Sequence, residues 1–337
     1  MSLAHPQPDP GAGTAWPALD GLARVHGDAF FVFDGAELRA NVSALRTAMA
    51  AAAPDVELAY SIKANYTPAV CRLTQSLGML VEVSSPMELW FAGRLGIPGP
   101  RIVYNGPGKS TESVRDALLA GALVNLETDL DVEWALATAR EHPRRRFGVG
   151  LRCSLAGPQA GVSRLGFDAA GETLGAVAEG LRPGVARWAR HPRIIVEPGA
   201  AVVSSAFCLY ARVLEVKTVQ GQDFALVAAS VLDTSPNLRR IDFPVTVISR
   251  EVSAEAAGKA PILVGGMTPI DGDYLALDLL ARPAVGDFVR FDNVGAYSIS
   301  MRPAFNYPPH AILQTDGEEV TVLRPRQSFE DVLRGFV

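Results

Sequence analysis

Apolar positions along the chain fall into short dense runs separated by amphipathic stretches. "AFFVFD" (29–34) is a run of strand composition closed by Asp34 and Gly35. Over 36–53 the period changes: Leu38, Val42, Leu45 and Met49 recur on one helical stripe. Runs and stripes then alternate. "VELAYSIKAN", "MLVEVSS" (79–85), "RIVYNGPGKS" (101–110, a strand entering a Gly-rich loop), "LVNLET" (123–128) and "RFGVGLRCS" (146–154) predict strands. Residues 67–78, 86–96, 111–121 and 129–142 predict helices. Pro68 and Pro86 stand at first turns, and Gly78 and Gly96 stand at the far ends of the same segments.

Strand–helix units at this cadence predict a parallel sheet with helical crossovers, a (β/α) barrel or an open α/β sheet. The near-continuous apolar strands fit a sheet covered on both faces. The polar residues Lys63, Glu82, Ser84, Asn105 and Arg152 fall where these strands end, the place at which such folds gather chemistry. From about residue 200 the character changes to Val-, Phe- and Tyr-rich runs between Gly, Asp and Pro turns, which predicts an all-β domain. The strand at 29–34 is compatible with either domain. The segment 1–25, rich in Pro and Gly, is expected as a flexible tail, followed by a barrel over 26–200 and the β domain over 201–337.

Composition narrows the function. The chain has 337 residues, 48% of them hydrophobic, and a formal charge of −5, room for a large core and two domains. An acidic chain has no nucleic-acid footprint. No apolar run approaches the roughly 20 residues that span a bilayer, and no basic segment followed by an apolar core opens the chain, so neither a membrane nor a secretory route is expected. Cys71, Cys153 and Cys208 are scattered without CxxC spacing, and the five histidines show no ligand spacing. That pattern argues against a disulfide framework or a zinc site and fits a reducing cytoplasm.

The candidate chemistry begins at Lys63, which closes an apolar run and precedes a turn, "NYTP". "YNGPGKS" is not GxxxxGK[ST], so its spacing fails as a nucleotide loop. Lys109 in that loop reads as a solvated residue at a helix start, and Arg144 to Arg146 as a solvated turn.

Seven ordered stretches carry a resemblance: "YSIKAN" (60–65), "EVSSPMEL" (82–89), "RIVYNGPGKS" (101–110), "SRLGFD" (163–168), "IIVEPG" (194–199), "GGMTPIDGDYL" (265–275) and "DNVGAYSISM" (292–301). Together they resemble the fold-type III pyridoxal-phosphate enzymes, specifically the ornithine/diaminopimelate decarboxylase group. The resemblance implies an alanine-racemase-like (β/α) barrel with a C-terminal β domain, pyridoxal 5'-phosphate (PLP) as cofactor, and α-decarboxylation of a small amino acid. It implies Lys63 as the amine that forms a Schiff base with PLP, an aldimine. Glu197 would keep the pyridinium protonated. Glu82 stands where relatives usually carry aspartate beside the ring. Tyr297 matches a phosphate-contacting tyrosine, and Gly199 would admit the phosphate close to backbone. Asp242 aligns with a substrate-side acid, Asp273 with a catalytic and substrate-binding aspartate, and Asp271 lies beside it as a further candidate. The group's active sites lie between subunits, so a homodimer is implied.

The chain also departs from the group. A His-x-Gly-Ser strand and a triple-glycine loop are missing between "SRLGF" and "EPG". Ala200 replaces an arginine, and Pro269 stands where a catalytic cysteine is usual. At roughly 30 residues per unit, residues 35–200 supply only about five or six barrel units. An incomplete barrel is expected, through either an internal deletion or a segment left out of the sequence. Three activities therefore stand open: the decarboxylase, a catalytically degenerate homologue acting as a binding or regulatory subunit, and a racemase of the same barrel class.

Overall fold

The computed structural model describes residues 15–52, 56–154, 165, 167–168, 194–234, 243–251, 260–316 and 319–336. These fall into two compact units. One runs from Val42 to Gly199, and the other joins residues up to Asn41 with residues from Ala200 onward. Among the described residues no helix is long and apolar enough to cross a membrane.

In chain order the first elements are helix α1 (Trp16–His26), strand β1 (Ala29–Phe33), helix α2 (Gly35–Ala52) and strand β2 (Val56–Ser61). There follow α3 (Pro68–Ser76), β3 (Leu80–Val83), α4 (Pro86–Arg94), β4 (Ile102–Tyr104), α5 (Thr111–Ala120), β5 (Leu123–Leu126), α6 (Asp129–Glu141) and β6 (Gly148–Leu151). Two short strands, β7 (Cys153–Ser154) and β8 (Phe167–Asp168), pair with each other in parallel. Strand β9 (Ile194–Val196) precedes "EPG".

Among its described residues the 42–199 unit forms a curled parallel sheet of six strands in the order β6-β5-β4-β3-β2-β9. Sequential strands lie side by side until β9, which returns to pair with β2. Its first and last described strands are thus neighbours, and among the described residues six strands stand against the eight of a complete barrel. The helices are punctuated as their sequences dictate. Ser85 Oγ accepts a hydrogen bond from Glu88 N and so caps α4. Ser110 and Ser113 form a reciprocal capping box on α5, and Gly121 ends that helix in the left-handed region at φ 88°. The stretches "GETLGAVAEGL" and "GVARWARH", whose letters also read as one or two helices, lie outside the described residues.

The second unit holds β10 (Phe207–Val219), β11 (Gln222–Val227), β12 (Val245–Ile248), β13 (Ile262–Gly265), β14 (Tyr274–Leu279), β15 (Phe288–Phe291), β16 (Ala311–Asp316) and β17 (Glu319–Arg324). With β1 they form a nine-stranded sheet. β10 and β11 are joined at Gln220 and Gly221, both at positive φ, which suits the twist of a two-residue hairpin turn.

Two boundaries differ from expectation. β1 pairs antiparallel with β10 and parallel with β16, so it belongs to the β unit and not to a barrel beginning at residue 26. Residues 16–25 are helical and not part of a flexible tail. Leu19 and Ala23, four apart, are buried in one cluster with Phe30, Tyr210, Phe288 and Leu313, and that apolar stripe outweighs the Pro and Gly content around it.

Candidate active site

Strand β2 ends at Ser61, and a single 3-10 turn, Ile62–Ala64, carries Lys63. Ile62 and Ala64 are fully buried on either side. The turn thus spends its apolar neighbours on the core and leaves the lysine side chain 45% exposed. Lys63 is therefore just past the strand, in the turn that follows it.

Parallel register sets Ser61 opposite Glu82. Ser61 Oγ donates to Glu82 Oε2. Lys63 Nζ lies 3.1 Å from Oε1 and 3.0 Å from Oε2 of the same carboxylate. Glu82 is completely buried, and a buried carboxylate persists only where donors surround it. A third donor comes from Asn105, which follows β4: its Nδ2 is 3.0 Å from Glu82 Oε1. The same Nδ2 is 2.9 Å from Glu197 Oε2.

Glu197 arrives by the pairing of β9 with β2, extended one step by Ser61 N donating to Pro198 O at 3.2 Å. Burial pushes the Glu197 carboxyl above its ordinary range, and nearby Glu82 adds to this, while Asn105, Lys63 and Arg152 act in the opposite sense. At Gly199 a Cβ would lie 3.0 Å from Ala64 Cβ, so the backbone there approaches the Lys63 turn more closely than a side chain permits.

A second cluster stands at the ends of β4, β5 and β6. The Lys109 side chain is wholly buried. Its Nζ donates to Gly106 O at 2.5 Å and Asp131 Oδ2 at 3.2 Å, with Glu127 at 4.0 Å. The expectation of a solvated lysine is thus corrected: the loop folds inward because two carboxylates wait beneath it. Arg152 Nη1 reaches Glu127 Oε1 at 3.4 Å.

The remaining candidates belong to the β unit. Asp273 is buried, and its carboxylate accepts from Ser230 Oγ (3.0 Å), Val231 N (2.6 Å), Thr268 N (2.9 Å) and Thr268 Oγ1. Asp271 is exposed. Tyr297 is 39% exposed and sits at φ 66°. Gly295, two residues before it, packs so closely on Val203 O that a Cβ would overlap it. Asp242 lies outside the described residues.

The structure therefore brings Lys63, Glu82, Glu197 and Gly199 together in one unit. Sequence reasoning marked Asn105 only as a strand-end candidate and assigned no role to Ser61 or Asn125, or to Glu127 and Asp131. Asn125 was legible as a polar residue interrupting the apolar strand "LVNLET", and Ser61 as a hydroxyl at a strand end.

PLP suits this donor set at its aldehyde and ring. A half-exposed primary amine can reach an aldehyde, two carboxylates stand beside it, and the backbone at Gly199 is open to close approach. Residues 36–156 match the model of the pyridoxal-dependent decarboxylase pyridoxal-binding domain. The diaminopimelate decarboxylase of Aquifex aeolicus is 23% identical, with 94% of this chain and 93% of that protein covered. That alignment runs over 407 positions against a chain of 337 residues, so it includes at least 70 positions at which this chain has no residue. Among solved structures, a point mutant of diaminopimelate decarboxylase from Helicobacter pylori, complexed with L-lysine, superimposes with a TM-score of 0.76 at 19% identity, covering 94% of this chain and 98% of that one. AQ1208 from Aquifex aeolicus gives 0.77 at 19% identity, covering 95% and 94%. A curled parallel sheet with an amine at its rim, joined to a mostly β unit, is the architecture of the fold-type III PLP enzymes. Within that class the chain is similar to the PLP-dependent ornithine and diaminopimelate decarboxylases, through the pyridoxal-binding model over residues 36–156 and at low identity over most of its length.

Proposed function

We propose that this protein is an amino-acid decarboxylase that holds PLP through Lys63, with a diaminopimelate-type substrate as the first candidate. The observation that carries the reading is the Lys63 amine seated on the buried Glu82 carboxylate, with Glu197 one strand away. Bound PLP supplies the electron sink for the pair of electrons left when CO2 departs. The chain's own residues do the rest. Lys63 provides the amine for the cofactor aldehyde, and Glu82 holds that amine at the end of β2. Glu197 supplies the carboxylate for the pyridinium proton. Gly199 and Tyr297 would approach the phosphate. Asp273 spends its carboxylate on its own loop and on Ser230 and Val231, so within this reading it shapes the loop, and exposed Asp271 is the nearer candidate for contact with substrate. Asp242 keeps its proposed place on the substrate side. A homodimer with shared sites, in a reducing cytoplasm, completes the proposal. Light scattering on the purified protein would test the dimer.

The test is spectroscopic. Protein incubated with PLP should turn yellow, with a visible band that borohydride abolishes and Lys63→Ala lacks. It should release CO2 from meso-diaminopimelate faster than from lysine or ornithine. A second reading rests on the absent His-x-Gly-Ser and triple-glycine segments and on Ala200: a non-catalytic homologue that binds a partner. Protein that stays colourless with added PLP would establish that reading and end the first.

A further inference from the structure

We infer that Asn105 and Asn125 are positioning residues, a two-amide relay that fixes the Glu82 and Glu197 carboxylates relative to each other. The inference deepens the proposed PLP reading and rests on it for its purpose, although its geometry stands alone. Four adjacent strands carry the relay sideways across the sheet.

It begins at β6. A Cβ on Gly150 would fall 2.0 Å from Asn125 Oδ1, so the glycine leaves the space that the Asn125 amide fills. Asn125 Nδ2 then donates to Asn105 Oδ1 at 2.6 Å. That bond settles which way the Asn105 amide points. With its oxygen engaged by a donor, its nitrogen must face the other side. There Nδ2 meets Glu82 Oε1 at 3.0 Å and Glu197 Oε2 at 2.9 Å. Both hydrogens of one amide nitrogen are used, one on each carboxylate. A reversed Asn105 would set its oxygen against two carboxylates and its nitrogen against the Asn125 donor, losing three hydrogen bonds at once.

Two carboxylates this close repel unless something donates between them. Asn105 is that donor. It touches both groups that flank Lys63, whereas Asn125 acts only through Asn105. The charged groups acting on Glu197 among the described residues are Glu82, Lys63 and Arg152. None of them bridges the two carboxylates as the Asn105 amide does.

The test follows Glu197 itself and needs no turnover. The full chain is labelled with 13C-glutamate, and the carboxylate stretch is titrated by infrared difference spectroscopy, with Glu197→Gln as the assignment control. Asn105→Ala should displace the Glu197 midpoint upward. Asn125→Ala should displace it less in the same direction, since Asn105 keeps its nitrogen but loses its orienting partner. Gly150→Ala, which leaves every polar group in place but fills the Asn125 space, should reproduce the Asn125→Ala shift. PLP affinity, read by absorbance, should fall about tenfold in Asn105→Ala, the scale of one hydrogen bond to a charged group. Circular dichroism melts identify variants that have merely lost their fold; if Asn105→Ala is one, Asn125→Ala and Gly150→Ala decide the outcome. Variants that melt lower but titrate Glu197 at the wild-type midpoint would overturn the relay. Wild-type protein that never binds PLP, with the midpoint still displaced in the variants, would sink the functional reading and leave the relay intact.

Discussion

The Lys63 amine straddles the Glu82 carboxylate, with its Nζ 3.1 Å from one oxygen and 3.0 Å from the other. The pair is asymmetric: Glu82 is sealed in the sheet, while nearly half of the lysine side chain meets solvent. The carboxylate is therefore the fixed member and the lysine the one able to leave.

Glu82 substitutions follow from that asymmetry. Glu82→Gln places an amide nitrogen where Ser61, Lys63 and Asn105 all donate, leaving at least one buried donor unmatched. A loss of about 1–3 kcal/mol is expected, together with weaker PLP uptake. Glu82→Asp keeps the charge but withdraws it by one methylene, so it should cost less than Gln on both counts. Urea unfolding and PLP titration of the two variants side by side would show the order.

Lys109 offers the opposite case, a lysine that cannot leave. Its ammonium is enclosed by Asp131, Glu127 and Gly106 O with no side-chain exposure on any of the three ionic partners beyond a trace. Lys109→Met would fill the volume but strand two buried carboxylates. A loss of about 3–5 kcal/mol is expected, the scale for a buried pair broken from one side. The midpoint of denaturant unfolding is the measurement.

These two lysines show what the letters could and could not convey. The alternation of apolar runs and helical stripes conveyed the strand–helix order from β2 to β6, because burial on both faces leaves a strong periodic signal. The proximity of Glu197 to Lys63 depends on β9 pairing with β2, a contact across more than a hundred residues that no local period encodes; only the resemblance supplied it. Lys109 was misread because a lysine after Gly-Pro-Gly looks like a solvated helix start, and its carboxylate partners come from the next strand–helix unit. Helix α1 was hidden by the prolines and glycines around it, and its two buried residues make a short signal. The β unit's strands were visible in outline, but the segments of β14 and β16 were not read as strands.

Within the loop that carries Lys109, two glycines should behave differently. Gly106 has φ 94°, and a Cβ there would sit 2.1 Å from Ser84 O, a backbone atom that has no room to yield. Its N–H also donates to Glu127 Oε1 at 2.6 Å. The left-handed conformation alone costs a side chain about 1–2 kcal/mol, and a backbone shift that relieves the overlap would draw the N–H away from Glu127 and add to it. Gly106→Ala should thus lower stability by more than about 2 kcal/mol. Gly108, with nothing within 4 Å of its Cβ position, should accept alanine within about 0.5 kcal/mol. Thermal melts of both variants would separate steric from compositional roles for the glycines of "NGPGK".

The β unit carries a carboxylate whose protonation should be felt by the whole fold. Asp233 is fully buried and accepts from Arg302 Nε, from Ser230 N at 2.9 Å and pairs with His310 Nε2 at 3.1 Å. Burial works to raise its pKa, but His310 and Arg302 together outweigh that and hold it at about 2, below the ordinary 3.8. A carboxylate with a lowered folded-state pKa contributes stability that is complete above its unfolded value and disappears as pH falls through the folded one. The window therefore runs from about pH 4 down to about pH 2, and the depression corresponds to about 2 kcal/mol. Asp233→Asn removes the titrating group while leaving Arg302 beside a neutral amide. That variant should be less stable than the wild type at pH 6, since a buried guanidinium loses its counter-charge. Its stability should also fall less steeply between pH 4 and pH 2. Urea unfolding at half-unit intervals across that range checks both statements. Parallel slopes for the two proteins would mean that Asp233 binds its proton equally in the folded and unfolded chain, and that the buried triad with Arg302 and His310 is not what acid takes apart.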